Sequence, residues 1–193
     1  MTAALDQLTS LIPPPAKPLY ADGDWSAVEA EFGPLPAEWK AFIRTYGSGV
    51  FLGPGELTVH NPLDRVGKER IATDLDILRD ESENNPPGWT VHPVRPGYLP
   101  WGGDDHGSVF SFWTAGEPDD WVTAGNIEDI HRRFDCGLAT FLLGTLARIG
   151  PSRWYDAVFA QRERRTFDDV RRVRSYPADQ TDFYRQYAAE FPD

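Results

Sequence analysis

The sequence has few of the features that mark secreted, disulfide-bonded or membrane proteins. Its 193 residues include one cysteine, Cys136, so no internal disulfide can form. A single thiol is compatible with a reducing compartment. The first twenty residues lack the basic start and the apolar run of a signal peptide. No stretch approaches the roughly 18 apolar residues that a membrane span needs. We therefore expect a cytoplasmic protein with no membrane partner.

Positive charge is also scarce over most of the chain. Lys and Arg number 19 against 30 Asp and Glu, a net charge of −11. Residues 1–150 hold 22 acidic and 11 basic residues, whereas residues 151–193 hold eight of each. An acidic surface disfavours nucleic acid, and it favours a cationic partner whose encounter it accelerates. The alternative is that the charge serves only to keep the protein soluble.

Apolar side chains are sufficient for a core, at 40% hydrophobic and 13% aromatic residues. Apolar periodicity predicts helices over residues 3–12, 25–32, 36–46, 66–85 and 138–149. Short strands are predicted on both sides of the Gly-Pro-Gly turn at 53–55, and at 91–94, 98–101, 109–113 and 121–123. Asp135 is the predicted N-cap of the helix that begins near Leu138. This order indicates an α+β fold, with a mainly antiparallel sheet of about five to six strands and helices packed on one face and at the ends.

Composition divides the chain into three parts. Residues 1–20 form a helical, proline-rich N-terminal extension, residues 21–150 the main domain, and residues 151–193 an Arg-rich helical C-terminal extension. The Arg run from Arg162 to Arg174 is one possible nucleic-acid patch. Because Glu163, Asp168 and Asp169 interrupt it, we favour a helix packed on the acidic domain or at a subunit contact. The protein is therefore expected to be a monomer or a weak homodimer.

The segment "YLPWGGDDHGSVFSFW" raises the possibility of a metal site. Asp104, Asp105 and His106 are metal-binding or proton-transferring residue types. A hard cation is coordinated by about 6 to 8 oxygen ligands, which usually come from alternating positions of a long loop. Here the acids are adjacent and Gly107 closes the loop, which favours a turn between two strands. We expect no metal and no cofactor, and a metal-dependent hydrolase built on these three residues remains an alternative.

Nucleophilic catalysis finds no support in the sequence. The G-x-S-x-G and phosphate-loop patterns are absent. Cys136 precedes a helix, where a thiol can be activated, but no base is paired with it, and packing is the favoured interpretation. We therefore expect no catalytic residue and a protein that is not an enzyme.

One segment carries a more specific pattern. "WSAVEAEFGPLPAEWKAFIRTYGSGVF", residues 25–51, resembles the opening of the SUKH superfamily, the Smi/Knr-like proteins, in which an acidic helix leads through Leu-Pro into an aromatic helix. The later "YLPWGGDDHGSVFSFW" and "CGLATFLLGTLARIG" are similar to that family's strand–corner–strand and closing helix. Gly47-Ser48-Gly49 departs from the family's usual Asn-Gly-Gly. The matching positions, all structural, are Trp25, Glu29, Gly33, Leu35, Pro36, Trp39, Phe42, Ile43, Tyr46, Gly47 and Gly49.

The resemblance implies a function. Bacterial proteins of this kind mostly act as immunity proteins, which bind a secreted toxin domain, often a nuclease, and neutralise it in the cytoplasm. The alternative is a regulatory scaffold that binds endogenous proteins, as yeast members do. We expect acidic corners to contact the cationic toxin and tryptophans to anchor it, with solvated turns and core tryptophans as the alternative. The residues concerned are Asp104, Asp105, Glu117, Asp119, Asp120, Trp101 and Trp121.

Overall fold

The structure is a computed structural model that describes residues 2–52, 57–84, 90–127, 130–147 and 166–169. These residues form an α+β fold with five α-helices and a seven-stranded antiparallel sheet. In the described part of the chain, no helix has the length and apolar character needed to cross a membrane.

Three α-helices come first, six strands follow with one helix between the second and the third, and a fifth helix precedes the seventh strand. The helices are α1 (Ala3–Leu11), α2 (Trp25–Phe32), α3 (Ala37–Tyr46), α4 (Arg65–Asn84) and α5 (Leu138–Ala147). The strands are β1 (Gly49–Leu52), β2 (Leu57–Val59), β3 (Tyr98–Gly103), β4 (Val109–Trp113), β5 (Val122–Ile127), β6 (Ile130–Arg133) and β7 (Thr166–Asp169). Their order in the sheet is β6-β5-β4-β3-β2-β1-β7.

Local signals explain where α2 and α3 begin and end. The Asp24 side chain accepts hydrogen bonds from the first turn of α2, and Gly33 ends that helix at a φ of 77°. Pro36 precedes α3, and Gly47 ends it at a φ of 68°. A Cβ at residue 47 would lie 2.3 Å from the carbonyl oxygen of Leu19, so the backbone there approaches closely enough to require glycine.

Helices lie on both faces of the sheet. On the first face, the ring of Phe110 lies 5.2 Å from that of Phe141 in α5, and the ring of Phe112 lies 5.4 Å from that of Trp39 in α3. Val109 is adjacent to Phe110 in β4 and therefore points to the second face. There it borders a cleft that side chains of α4 also line. The sheet is thus covered by α3 and α5 on one side and by α4 on the other.

The N-terminal helix belongs to the same core as the sheet. Leu5 and Leu8 of α1 are fully buried, and α1 contacts α5. The Tyr46 hydroxyl donates a 2.7 Å hydrogen bond to the carbonyl oxygen of Ile12, at the end of α1. Leu11 of the same helix, by contrast, is 57% exposed. In the described part of the chain, α1 therefore packs into the same core as the sheet.

The strand assignments need four corrections. The sheet has seven strands, slightly more than the five or six expected. Residues 91–94 form no strand, because only Val91 makes an isolated bridge, to Tyr98, and a turn follows. Strand β6 was not predicted. Residues 166–169, expected within a helical extension, form β7 and pair with β1 at the sheet edge. The rest of the C-terminal extension, including the Arg run on either side of β7, lies outside the described residues.

Two leucines of α1 test whether this helix stabilises the whole fold. Replacing fully buried Leu5 by Ala should lower the free energy of unfolding by about 2–5 kcal/mol, because the side chain leaves a cavity in the core. Exposed Leu11→Ala is the matched control and should change it by less than about 0.5 kcal/mol. Urea unfolding followed by tryptophan fluorescence measures both. Equally small decreases in the free energy of unfolding for both variants would show that α1 is a separable extension.

Candidate functional site

The two acidic corners lie at opposite ends of β4. The turn at residues 104–108 joins β3 to β4, and residues 114–121 join β4 to β5. Five residues of antiparallel strand span about 17 Å. The structure therefore does not bring the five predicted contact acids into one cluster. Each corner instead borders its own cleft, one on each face of the sheet.

Within the first corner, the Asp104 side chain forms hydrogen bonds that hold the turn. It is 9% exposed, and its Oδ1 accepts hydrogen bonds from the backbone N–H groups of His106 at 3.0 Å and Ser108 at 2.8 Å. Gly107 follows at a φ of 85°. The Asp104 side chain thus stabilises the turn by accepting from backbone N–H groups two and four residues later, as short acidic side chains commonly do. The side chain of His106 is 59% exposed and that of Asp105 is 27% exposed, and Asp105 Oδ1 lies 3.4 Å from His106 Nε2.

The same corner bears on the alternative function of a metal-dependent hydrolase. Over the described ranges, no group of three or more His, Cys, Asp or Glu side chains is placed to hold a metal ion. Asp104 has its Oδ1 turned to backbone N–H groups. The three residues considered for this chemistry therefore form a turn in which the side chains do not converge on one point.

The first cleft, which we call the His60 cleft, lies between α4 and this turn. Its volume is about 300 Å³, and His60, Arg70, Asp74 and Asp105 are among its lining residues. His60 Nε2 is 2.8 Å from Asp74 Oδ2. The sequence offered no sign of this pair, because the two residues are 14 positions apart and belong to different elements.

The second cleft, which we call the Glu38 cleft, lies where three helices begin. Its volume is about 440 Å³. Glu38 accepts hydrogen bonds from the Thr2 hydroxyl of the α1 cap at 2.9 Å and from the Ala139 N–H in the first turn of α5 at 3.1 Å. Asp119 accepts one from the N–H of Ala37, the first residue of α3, at 2.7 Å. Acidic side chains thus satisfy helix N–H groups that have no partner within their own helix.

This arrangement corrects the expected cap of α5. Asp135 was the predicted N-cap, but the carboxylate that accepts from Ala139 belongs to Glu38, 101 residues earlier in the sequence. Asp135 itself is exposed at the edge of the cleft. Sequence patterns reveal caps only when the capping residue adjoins its helix, so this contact could not be predicted.

Charge distinguishes the two clefts. Among the described residues, the charged side chains that line the Glu38 cleft are all acidic, namely Glu38, Asp119, Asp120 and Asp135. Asp119 and Asp120 are exposed on the 3₁₀ segment Pro118–Asp120 that lines the cleft, and exposed Glu117 directly precedes this segment. The His60 cleft has Arg70 beside its carboxylates. The Glu38 cleft is therefore the more strongly acidic of the two surfaces.

The two tryptophans expected as anchors belong to the core. Trp101 is 0% exposed and Trp121 is 3% exposed. The Trp121 indole N–H donates to the carbonyl of Gly116, and the Arg95 guanidinium lies 4.9 Å from its ring centre. Neither ring offers surface to a partner in this conformation. The alternative interpretation, core tryptophans beside solvated turns, describes their positions.

The residues of the family-like motif also occupy scaffold positions. Glu29 accepts hydrogen bonds from the Leu35 N–H at 3.0 Å and from the Lys40 ammonium at 2.5 Å. The hydrogen bond from Lys40 lowers the pKa of the Glu29 carboxyl. A Cβ at Gly49 would lie 2.4 Å from the ring of Phe167 in β7, so glycine permits that strand to pair. The motif therefore fixes how α2, α3 and β1 are joined.

Relatives do not identify the protein. Comparison with protein-family models, with curated proteins and with solved structures yields no significant match. The resemblance of residues 25–51 to the SUKH superfamily therefore stays a prediction from the sequence motif. The function has to be argued from that motif together with the charge and geometry of the site.

The capping contact of Asp119 can be tested by substitution. Asp119→Ala removes the acceptor for the Ala37 N–H and should lower the free energy of unfolding by about 1 kcal/mol. Asp119→Asn keeps an acceptor oxygen, so it should lower the free energy of unfolding by less. Asp120→Ala, at an equally exposed neighbour, should stay within about 0.5 kcal/mol of the parent. Chemical denaturation compares the three, and equal losses for Asp119→Ala and Asp120→Ala would contradict the cap.

Cys136, at the edge of the Glu38 cleft, should be an unreactive thiol. Burial raises its pKa to about 12, and the charges of Glu38 and Asp135 add to this effect. Since the thiolate is the reactive form, alkylation by iodoacetamide at pH 8 should be much slower than that of a small free thiol. Glu38→Gln removes one of the charges and should speed alkylation. Labelling in the native state at the rate of a free thiol would contradict this assignment.

Proposed function

We propose that this protein is a non-enzymatic immunity protein that binds and neutralises a cognate toxin domain, of the nuclease class, in the cytoplasm. The observation that carries the proposal is the acidic corner at residues 117–120, above a cleft whose described charged residues are all acidic. The motif of residues 25–51 and the net charge of −11 support it independently of that geometry.

The chemistry of the expected partner fits this surface. A nuclease presents a cationic surface to the phosphate backbone of its own substrate. An acidic surface can cover that region, and the attraction between the two surfaces accelerates their association. The acids at the corner also sit on a supported loop, because Asp119 is bonded to the start of α3. A rigid loop loses little conformational freedom when a partner binds.

The two predicted contact groups differ in how well they suit this role. Glu117 and Asp120 are exposed, whereas the exposed carboxylate of Asp119 also holds α3. At the other end of β4, Asp104 is committed to its turn, and the Asp105 side chain is 27% exposed and lies 3.4 Å from His106 Nε2. We therefore place the principal contact at the corner of Glu117 and Asp120.

A charge-reversal experiment tests this assignment. Glu117→Lys together with Asp120→Lys should slow association with the toxin by about tenfold or more at low salt, because local attraction becomes repulsion. The control, Asp22→Lys with Glu83→Lys, makes the same change in net charge at two exposed positions outside the corner. This control should slow association with the toxin less than the corner variant does. Stopped-flow association rates over a series of salt concentrations measure both variants.

Comparison of the two double variants distinguishes a direct contact at the corner from an effect of the protein's net charge. A corner variant that associates as fast as the parent protein would exclude the corner as the contact. Equal slowing in both double variants would indicate that only net charge matters. If pull-down instead recovers many endogenous proteins and no toxin, the regulatory scaffold becomes the better account.

A further inference from the structure

The β4–β5 connection, which carries the acidic corner, is joined at both ends to the turn that precedes β3. At its start, the Thr114 backbone N–H donates to the carbonyl oxygen of Gly97 at 2.9 Å, and the Thr114 hydroxyl accepts from the Gly97 N–H, also at 2.9 Å. At its end, the guanidinium of Arg95 lies 4.9 Å from the ring centre of Trp121. The turn before β3 therefore contacts the connection on both sides of its acids.

Trp121 is the residue around which the acidic corner folds. Its indole N–H donates to the carbonyl oxygen of Gly116 at 3.3 Å, and its backbone N–H donates to that of Pro118, also at 3.3 Å. The Asp120 N–H donates to the carbonyl oxygen of Glu117 at 2.9 Å. One residue thus bonds both to the start of the corner and to the 3₁₀ segment that presents its acids. A contact that holds the Trp121 ring therefore also restricts the loop of Glu117 and Asp120.

The guanidinium of Arg95 occupies space that a glycine leaves open. A Cβ at Gly33 would lie 2.9 Å from Arg95 Nη2, so a larger residue there would push the guanidinium away. Gly33 ends α2, and the C-terminal end of a helix attracts a cation. The face of an indole ring attracts a guanidinium as well. Arg95 therefore bridges the end of α2 and the Trp121 ring.

The charge of Arg95 is unfavourable for the recruitment of a cationic partner. Trp121, which the guanidinium covers, lines the Glu38 cleft, whose described charged residues are all acidic. A cation beside this surface weakens its attraction for another cation. On charge alone, removal of Arg95 would therefore speed association. Its contribution to binding is expected instead in the order of the corner, because a rigid loop loses less conformational freedom when a partner binds.

We propose that Arg95 is a positioning residue for the acidic corner. By holding the Trp121 ring, it keeps Glu117 and Asp120 in the conformation that meets the toxin, and it acts through Trp121 without having to touch the toxin itself. The effect on binding rests on the proposed immunity function, whereas the order of the corner is a property of the free protein. The two can therefore be measured separately.

Hydrogen exchange in the free, isotopically labelled full chain tests the order of the corner. The reporters are the Trp121 indole N–H and the Ala37 backbone N–H, which donates to Asp119. Arg95→Gln removes the cation from the ring, and exchange at both reporters should become about two- to fivefold faster. Arg95→Lys retains a cation and should restore most of the protection. Unchanged exchange at both reporters in Arg95→Gln would overturn the proposal.

Arg133→Gln is the matched control. The Arg133 guanidinium lies 4.4 Å from the ring centre of Trp113, so the variant makes the same change of charge at the same kind of pair. Trp113 points to the opposite face of the sheet from Phe112, which contacts Trp121. Exchange at the two reporters should stay within about twofold of the parent protein. Both variants should unfold at the same urea concentration, and equal acceleration of exchange by both would contradict the assignment.

The lifetime of the complex tests the effect on binding, with the product of the neighbouring open reading frame as the partner. Arg95→Gln should raise the dissociation rate constant about two- to fivefold, and Arg133→Gln should change it by less than about twofold. Faster association with unchanged dissociation would show that Arg95 acts only as a local charge and would overturn its positioning role. If the parent protein forms no complex with this product, the immunity function fails, and exchange in the free protein still decides whether Arg95 orders the corner.

Discussion

The buried face of α3 is the contact on which the other elements depend. Trp39 and Tyr46 on this face are 0% exposed. Trp39 contacts Phe112 of β4, and Tyr46 contacts Phe167 of β7 while its hydroxyl bonds to the carbonyl of Ile12. One short helix therefore connects the centre of the sheet, its edge and the N-terminal helix. Truncation of the Tyr46 side chain would remove contacts both to β7 and to the end of α1, so the loss in stability would exceed that of an isolated cavity.

The position of α3 also determines where the acidic surface lies. Its first residue bonds to Asp119, and its second, Glu38, reaches the starts of α1 and α5. The carboxylates thus satisfy backbone N–H groups at the starts of α3 and α5 and accept from the hydroxyl of the α1 N-cap. Because these acids have a structural reason to be present, the acidity of the cleft alone does not establish binding. The exposed acids Glu117 and Asp120, which sit on this supported loop, carry the functional proposal.

Sequence reasoning succeeds where the determinants are local and fails where they are distant. The amphipathic face of α3 and the glycines that end α2 and α3 are local patterns. Strand β7 could not be predicted from local patterns, because residues 166–169 become a strand only by pairing with β1. The same reason applies to the Glu38 cap of α5 and to the pair of His60 and Asp74. The acids of the two corners were identified correctly as turn residues, but their separation by the length of β4 required the structure.

The central claim is that this fold presents an acidic corner in order to neutralise a toxin. The most direct measurement is the growth of cells that express the product of the neighbouring open reading frame, with and without this protein, together with purification of the pair. The account predicts that the neighbour alone stops growth, that co-expression restores it, and that the two chains purify as a stoichiometric complex. A harmless neighbour that forms no complex would contradict it.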